Sequence, residues 1–309
     1  MFLVMNDLVV NKIELLDADS ALMAINFISG LDTRAKTKEI YKKGVKYFLA
    51  YLKDKNINEV SSTDIINYKN ELLKNHSVAT TNIYLTAIKR FYSFLDTNYG
   101  IKNIAKDIKT IAEKKTHKKD GLTIEQVKAL LANITNVRDK ALIYLLLSTG
   151  TRTIEIERAN VEDLEVKGNE YILRVQGKGH DKKDDYVIIN KKCYDLLNEY
   201  FLSRENLKMT EPLFVATDRG HKGQRLTTRS IRRIVKNEYR KNGIVSPRIT
   251  THSLRHTAAS QLVRAKADIY EVKTFLRQSN INITQIYFDE DIETDAKSKS
   301  SVLLETLFW

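Results

Sequence analysis

Residues 251–260 read Thr-His-Ser-Leu-Arg-His-Thr-Ala-Ala-Ser, a stretch that predicts a helix with three basic side chains on one face. These are His252, Arg255 and His256, which lie three and four positions apart. Histidines four apart can bind zinc. Here, however, serine rather than glutamate follows His252, the arginine between the histidines repels a cation, and no third ligand has a suitable spacing. We therefore expect neither a metal nor another cofactor.

Two more residues in this chain fit the chemistry of a phosphodiester. Arg152 follows a predicted helix that ends near Gly150, and it begins the next helix, whose N-terminal amides would add to its attraction for an anion. Far downstream stands Tyr287. A deprotonated phenol can attack phosphorus, and the planar fork of an arginine suits the phosphate oxygens on which charge then accumulates. The combination indicates attack on a phosphodiester without a metal.

The segments around these residues together resemble the catalytic domain of the tyrosine recombinases, the phage-integrase and Xer-like family. The similarity rests on Thr-Gly-Thr-Arg-Thr-Ile-Glu-Ile-Glu at 149–157, on the His-x-x-Arg-His pattern and on the Thr-Gln-Ile-Tyr ending at Tyr287, and it covers roughly residues 122–288. Any one segment alone would be a weak signal, but the three together are a strong one. The resemblance implies a catalytic set of Arg152, Lys178, His252, Arg255, Gln278 and Tyr287.

The resemblance also implies a role for each residue. The two arginines hold the scissile phosphate, Tyr287 is the nucleophile, and His252 assists proton movement at its hydroxyl. Lys178, in the Gly-Lys-Gly turn of a predicted hairpin, protonates the leaving oxygen, and we favour it over the lysines at positions 182 and 183. His256 packs behind the reacting groups, and Glu155 is a buried structural support.

One segment departs from the family pattern. The family usually reads Leu-Gly-His ahead of the tyrosine, whereas this chain reads Leu-Arg-Gln at 276–278. Gln278 can donate a neutral hydrogen bond but cannot carry a proton between oxygens, so we assign it to phosphate binding. Arg277 adds a cation close by. Reduced or conditional activity is one interpretation, and Gln278 motivates the alternative of a non-catalytic regulator.

The chain is predicted to be mainly α-helical with a small antiparallel sheet, in two domains. Residues 1–99 contain four amphipathic helical patterns, which predict a helical core-binding bundle. Residues 100–121 carry seven lysines against three acidic residues, a net charge of +4, and are interpreted as a basic interdomain linker. Residues 122–309 mix helices with two strand patterns at 170–175 and 185–189, and residues 164–166 offer a third.

Composition indicates the cell compartment of the protein and the chemical class of its partner. The chain has 309 residues, a formal net charge of +12 and a pI near 9.4, which favour a polyanionic partner. Its one cysteine, Cys193, excludes an intramolecular disulfide and is interpreted as a small buried hydrophobe in a cytoplasmic protein. No stretch has the roughly 20 apolar residues of a membrane span, and the N-terminus lacks the basic region of a signal peptide.

Taken with the resemblance, these features predict a two-domain DNA clamp that acts as a site-specific recombinase on double-stranded DNA through a 3′-phosphotyrosyl intermediate. The expected assembly is a homotetramer on paired sites, with accessory DNA-binding proteins as further candidate partners. The apolar end of the chain, residues 302–309, could pack on its own core or on a neighbouring protomer. A type IB topoisomerase, which shares the chemistry but works as a monomer, is the second alternative.

Overall fold

The chain divides into two compact units, an N-terminal unit of residues 1–115 and a C-terminal unit of residues 116–309. The computed structural model describes residues 18–53, 55–112, 120–177 and 180–308, with the side chains of 18, 294–299 and 301–308 left out. As predicted, the fold is mostly helical with one small antiparallel sheet. Among the described residues, no helix is both long and apolar enough to cross a bilayer.

The N-terminal unit is built from four helices with short connections. Two of them begin at serine caps: Ser61 accepts from the amide of Asp64, and Ser77 accepts from the amide of Thr80. Their apolar faces meet in one core around Phe48 and other fully buried side chains. The helices are α1 (Ala18–Gly30), α2 (Ala35–Leu52), α3 (Ser62–Asn75) and α4 (Val78–Tyr99).

The boundary between the units falls inside the predicted linker, residues 100–121, and the first half of that segment is packed. Ala105 and Ile108 are buried in the N-terminal core. Lys89 donates to the carbonyl of Ile108 at 2.9 Å, and Asn82 exchanges two hydrogen bonds with the backbone of Ile111. Residues 101–111 are therefore part of the N-terminal unit. Residues 113–119, which carry four of the seven lysines, lie outside the described residues.

The C-terminal unit surrounds one helix, Val137–Thr149, whose residues 141–147 are all apolar. This helix, α6, carries Leu142, Ile143, Leu145 and Leu146, all at most 2% exposed. Because this central stretch is apolar on every side, it must be covered on every side, and its neighbours pack around it. The helices of this unit are α5 (Ile124–Asn133), α6 (Val137–Thr149), α7 (Thr153–Arg158), α8 (Lys191–Leu202), α9 (Thr228–Lys241), α10 (Thr251–Arg264), α11 (Ile269–Phe275) and α12 (Ile281–Phe308).

The sheet has three antiparallel strands in the order β1 (Leu164–Lys167), β2 (Glu170–Val175) and β3 (Asp185–Ile189). Leu164 pairs with Leu173, and Tyr171 pairs with Ile189. All three strand predictions are confirmed. Strands β2 and β3 pair as the predicted hairpin.

Cys193 is fully buried at the start of α8. Burial raises the pKa of its thiol to about 12. A thiol with so high a pKa is a poor nucleophile. The interpretation of Cys193 as a small packing residue is confirmed.

Candidate active site

Arg152 lies at the junction of α6 and α7. The sequence predicted this position, because one helical pattern ends just before Arg152 and the next begins there. It is the N-cap residue of α7. Its backbone amide donates to Glu155 Oε2 at 2.8 Å, and its Nη1 donates to Glu155 Oε1 at 2.8 Å. Glu155 is fully buried, so the carboxylate fixes both the backbone and the guanidinium of Arg152 from beneath.

Gly150 makes this junction possible. It ends α6 in the left-handed conformation, with φ of 59°, which favours glycine. A Cβ atom at this position would also lie 2.8 Å from Phe275 Cε1 of α11. The close approach brings α11, and with it the segment that leads to Tyr287, against the Arg152 turn.

Arg255 connects the same two segments from α10. Its side chain is buried, and its two terminal nitrogens donate to the carbonyls of Gly150 and Leu276. Burial, with the charges of Arg152 and Arg277 nearby, lowers the pKa of Arg255 to about 10. The group is therefore still charged at neutral pH, and a phosphodiester or phosphorane would find a desolvated cation here.

Arg277 is an additional cation of the site. It lies in the left-handed region, with φ of 49°, directly after Leu276. Its Nη2 lies 2.5 Å from Glu155 Oε2, and its Nε lies 3.3 Å from Asp185 Oδ2 at the start of β3. Glu155 is thus shared between two arginines. The sequence placed a cation nearby but gave no sign of its partner.

Tyr287 is buried in a small apolar cluster that α10, α11 and α12 form, with Val263, Val272 and Leu276. Burial raises the pKa of its phenol to about 12, while the charge of Arg255 opposes the rise. The Tyr287 ring lies 5.3 Å from the ring of His256. The hydroxyl is therefore neutral at physiological pH in the DNA-free protein, and a neighbouring base or cation must assist its ionisation.

The two histidines of α10 are in contact with each other. The ring centroids of His252 and His256 lie 5.0 Å apart in an edge-to-face arrangement. His256 stands between His252 and Tyr287 in this series of ring contacts, which fits its expected packing role. In the described part of the chain, no group of three or more histidine, cysteine or acidic side chains is arranged to hold a metal.

Gln278 lies in the turn between α11 and α12. Its Oε1 accepts a hydrogen bond from Thr284 Oγ1 at 2.8 Å, and Thr284 is fully buried. This bond uses the carbonyl end of the amide. The two N–H donors of the Gln278 side chain belong to the other end, which is the end a phosphate would need.

Lys178 lies outside the described residues, so its position relative to the arginines is still a prediction. The hairpin that carries it is anchored at its base. Arg158 donates to the carbonyl of Gly177 at 3.1 Å, and Lys183 pairs with the buried carboxylate of Asp163 at 2.5 Å. Lys183 already has a partner, which weakens it as a rival for the role of general acid.

Comparisons with known proteins identify the family. Residues 121–293 match the model of the phage integrase family, and residues 28–98 match that of the phage integrase N-terminal SAM-like domain. The chain belongs to the phage integrase family. A tyrosine recombinase XerC of Thermodesulfovibrio yellowstonii is 32% identical over 236 residues, which cover 72% of this chain and 75% of the relative. The protein is therefore a tyrosine site-specific recombinase by sequence.

Solved structures of tyrosine recombinases have the same fold. XerH bound to a palindromic difH substrate matches with a TM-score of 0.73 at 18% identity, covering 92% of this chain and 89% of that one. A lambda integrase dimer bound to a COC′ core site matches with a TM-score of 0.69 at 12% identity, covering 87% and 94%. Among relatives found by sequence alone, the tyrosine recombinase XerA of Pyrococcus horikoshii is 25% identical over 262 residues, which cover 84% of this chain and 86% of the relative.

For this tyrosine recombinase, sequence reasoning missed the contacts that hold the site together. Arg255 is anchored by two backbone carbonyls, and no side-chain pattern marks a carbonyl acceptor. The Glu155–Arg277 pair joins positions 122 residues apart. One available signal was the glycine that the family usually carries at position 277, because a recurrent glycine ahead of a helix often marks a left-handed backbone.

Proposed function

We propose that the protein cuts and rejoins double-stranded DNA at a specific site through a covalent 3′-phosphotyrosyl intermediate. The observation that supports this most strongly is the grouping of Arg152, Arg255 and Tyr287. The charge of Arg255 is close enough to Tyr287 to lower the pKa of the phenol. The charge of Arg152 is close enough to Arg255 to lower the pKa of the Arg255 guanidinium. The three come from three separate helices, α7, α10 and α12.

Cleavage proceeds by in-line displacement at phosphorus. The Tyr287 oxygen forms a bond to the scissile phosphorus as its proton leaves, and the bond from phosphorus to the 5′ oxygen breaks. Arg152 and Arg255 hold the non-bridging oxygens, on which negative charge accumulates in the transition state. Buried guanidinium groups are effective here because they need no solvent reorganisation when that charge develops.

Two proton transfers accompany these bond changes. His252 assists removal of the phenolic proton. His256 contacts the rings of both His252 and Tyr287 and holds them in position relative to each other. Lys178 donates a proton to the departing 5′ oxygen, which leaves as a hydroxyl. Gln278 contributes a neutral hydrogen bond to the phosphate. The phosphate ester energy is kept in the tyrosyl link, so a 5′ hydroxyl from a partner duplex can attack it and restore a phosphodiester without a nucleotide cofactor.

DNA binding uses the basic surface of the C-terminal unit together with the N-terminal unit. Six exposed basic side chains lie on α9: Arg229, Arg232, Arg233, Lys236, Arg240 and Lys241, the last of which pairs with Glu238. This helix is tied to the site, because Glu157 of α7 accepts from the amide of Thr228 at 2.5 Å and Arg225 donates to the carbonyls of Glu157 and Ala159. Phosphate contacts along α9 would therefore hold the DNA backbone on the unit that carries Arg152.

The working assembly is a homotetramer on two paired sites in the cytoplasm, because strand exchange needs four phosphotyrosyl links across two duplexes. The end of the chain continues α12 to Phe308 as backbone, and the side chains from 301 on lie outside the described residues. We propose that this end docks on a neighbouring protomer. The biological task is integration, excision or resolution of a mobile element or DNA dimer, with or without accessory DNA-binding proteins.

A nicked suicide duplex tests the proposal. The duplex carries a sequence that the purified protein selects from a random library, and a nick near the scissile phosphate lets the short 5′-hydroxyl fragment diffuse away. Wild-type protein should form a covalent adduct that Tyr287→Phe does not form. Normal binding without any adduct would instead establish a DNA-binding regulator, the role that Gln278 motivates. Relaxation of supercoiled DNA without exchange between two duplexes would establish a topoisomerase.

A further inference from the structure

Arg277 occupies an unusual position for an arginine. Its φ of 49° puts it in the left-handed region, yet its side chain is only 9% exposed and is directed to the interior of the site. A strained backbone that carries a buried charged side chain persists only when the surrounding contacts hold it there. The contacts of Arg277 therefore need a reason beyond the geometry of the turn.

Those contacts join three parts of the site. Arg277 pairs with Glu155 of α7 at 2.5 Å and with Asp185 of β3 at 3.3 Å. It also donates to the carbonyl of Phe275, at the end of α11, at 3.4 Å. One side chain thus links the Arg152 helix, the hairpin that carries Lys178 and the turn that leads to Tyr287.

The charge balance around Glu155 gives these contacts a consequence. The carboxylate holds one negative charge and accepts from Arg152 twice, through the backbone amide and through Nη1. Without a second cation, Glu155 would neutralise Arg152 alone, and a phosphate would have to compete with it for that guanidinium. With Arg277 present, the three arginines at 152, 255 and 277 face the two carboxylates of Glu155 and Asp185, and the group keeps one net positive charge.

We propose that Arg277 is a positioning residue for strand cleavage: it neutralises Glu155 so that Arg152 keeps its charge for the phosphate, and it fixes the turn ahead of the Tyr287 helix. This inference rests on the proposed function. It assigns to Arg277 a share of the transition-state stabilisation that the glycine usual in the family at this position cannot supply.

The test measures single-turnover cleavage of the nicked, library-selected duplex at saturating protein. Arg277→Gly removes the ion pairs, and glycine adopts the left-handed backbone without strain. Any loss of rate in this variant therefore comes from the missing side chain and not from added backbone strain. The expected first-order cleavage rate falls by about 10- to 100-fold while the Kd for the duplex changes by less than about threefold. Arg277→Lys should be intermediate, because lysine keeps the charge but loses the fork.

A matched control comes from Lys266, which is exposed and has φ of 68°. Lys266→Gly relaxes the backbone in the same way and should leave the cleavage rate unchanged. A purely structural role of Arg277 would reduce the amplitude of the reaction through unfolding, or lower the Tm, without altering the first-order rate of the folded protein. A wild-type rate for Arg277→Gly would overturn the proposal.

A double variant tests whether Arg277 acts through Glu155. In a Glu155→Gln background the carboxylate that pairs with Arg152 is gone, so adding Arg277→Gly should reduce the rate by less than about threefold. An equal loss in both backgrounds would also contradict the proposal. If Glu155→Gln does not fold, the Arg277→Gly rate decides alone. Absence of any adduct from wild-type protein would overturn the proposed function instead, which keeps the two failures distinct.

Discussion

The Arg255 guanidinium donates to the backbone carbonyl of Leu276, the residue that follows α11 and precedes the turn to the Tyr287 helix. The same guanidinium donates to Gly150, at the turn that holds Arg152. A single side chain therefore keeps the phosphate-binding junction and the nucleophile segment at a fixed separation. Since both acceptors are backbone carbonyls, the arrangement depends on the fork geometry of arginine and not on charge alone.

Arg255→Lys should lose cleavage while keeping its charge. A lysine ammonium cannot reach both carbonyls and a phosphate in the arginine geometry, so we expect the adduct rate to fall by at least about 100-fold. Stability should fall by about 1–3 kcal/mol because a buried carbonyl loses its partner. Adduct formation is followed on the nicked duplex, and the free energy of unfolding by denaturant titration.

Arg138→Lys is the matched control for Arg255→Lys. Arg138 is also largely buried and also donates to a backbone carbonyl, that of Val215, at 3.2 Å. Its substitution should lower stability to a similar extent with an unchanged adduct rate. Equal losses of rate in the two variants would mean that Arg255 matters only for folding.

Gly150→Ala should damage the site through its backbone. The left-handed φ costs a non-glycine residue about 1 kcal/mol or more. The new Cβ would also lie 2.8 Å from Phe275 Cε1. Gly168 has a similar φ of 61°, and a Cβ added there would have nothing within 4 Å, so Gly168→Ala reports the backbone cost alone.

The difference between the two alanine variants then measures the clash with Phe275. We expect Gly150→Ala to be less stable than Gly168→Ala by about 1–3 kcal/mol, the usual cost of overpacking. Adding Phe275→Leu to Gly150→Ala should recover part of that difference. Equal stabilities of the two alanine variants in denaturant titrations would show that the close approach of α6 and α11 is not as described.

Tyr287 should make stability depend on pH in the alkaline range. Its folded-state pKa of about 12 exceeds the ordinary value of 10.0, so the unfolded chain loses the phenolic proton at a lower pH than the folded protein does. The contribution of this group to the free energy of unfolding is therefore complete below pH 10 and is lost as the pH rises through 12. At pH 11 the wild-type protein should have lost about 1.4 kcal/mol through this group, a loss that Tyr287→Phe avoids. The stabilities of both proteins are compared at pH 8 and pH 11.

Tyr270 supplies the control for that titration. It is 66% exposed, so Tyr270→Phe removes a phenol without changing a buried one. Its pH-dependent loss of stability should match that of the wild type. If Tyr287→Phe also matches the wild type, the phenol of Tyr287 is not held neutral by burial.

Much of this fold follows directly from local sequence. The helix at 251–264 and the strands at 164–167, 170–175 and 185–189 form where apolar spacing and turn residues predict them. The packing of residues 101–111 was not predictable in the same way. That segment buries only Ala105 and Ile108, and its lysines suggested a solvated linker, although Lys89 of α4 holds it through a backbone carbonyl.

The residues of the site could also be predicted only in part from the sequence. Arg152, Arg255 and Tyr287 could be selected from residue type and spacing because their neighbours in sequence are distinctive. The bonds that orient them could not, since carbonyl acceptors and the Glu155–Arg277 pair depend on which loops meet in three dimensions. Tertiary contacts of this kind leave no periodic signal in a single sequence.

Lys178 should be the general acid, and a modified substrate can separate it from the other lysines of the hairpin. Lys178→Ala should block cleavage of ordinary DNA and recover on a duplex with sulfur in place of the 5′ bridging oxygen, because a thiolate leaves without protonation. Lys183→Ala should mainly lower stability, since Lys183 pairs with buried Asp163. Rescue of Lys183→Ala rather than Lys178→Ala by the sulfur substrate would reverse the assignment.

The exposed basic side chains of α9 should set the salt dependence of DNA binding. Removing one phosphate contact reduces the slope of log K against log salt by about 0.9 and weakens binding by roughly tenfold near 0.1 M salt. Arg232→Gln with Lys236→Gln should therefore reduce the slope by about 1.8, while the cleavage rate of saturated complexes stays near that of the wild type. Binding is measured by fluorescence anisotropy between about 0.05 and 0.3 M salt, a range in which counterion release dominates the affinity.

A charge-matched control makes that result specific to α9. Lys192 on α8 and Lys208 in the loop that follows it are both exposed, and changing both to glutamine removes the same two charges. If affinity followed net charge alone, the two double variants would give the same slope. A slope that changes only in the α9 variant means that this helix contacts the DNA backbone, because counterion release counts the phosphates neutralised and not the total charge of the protein.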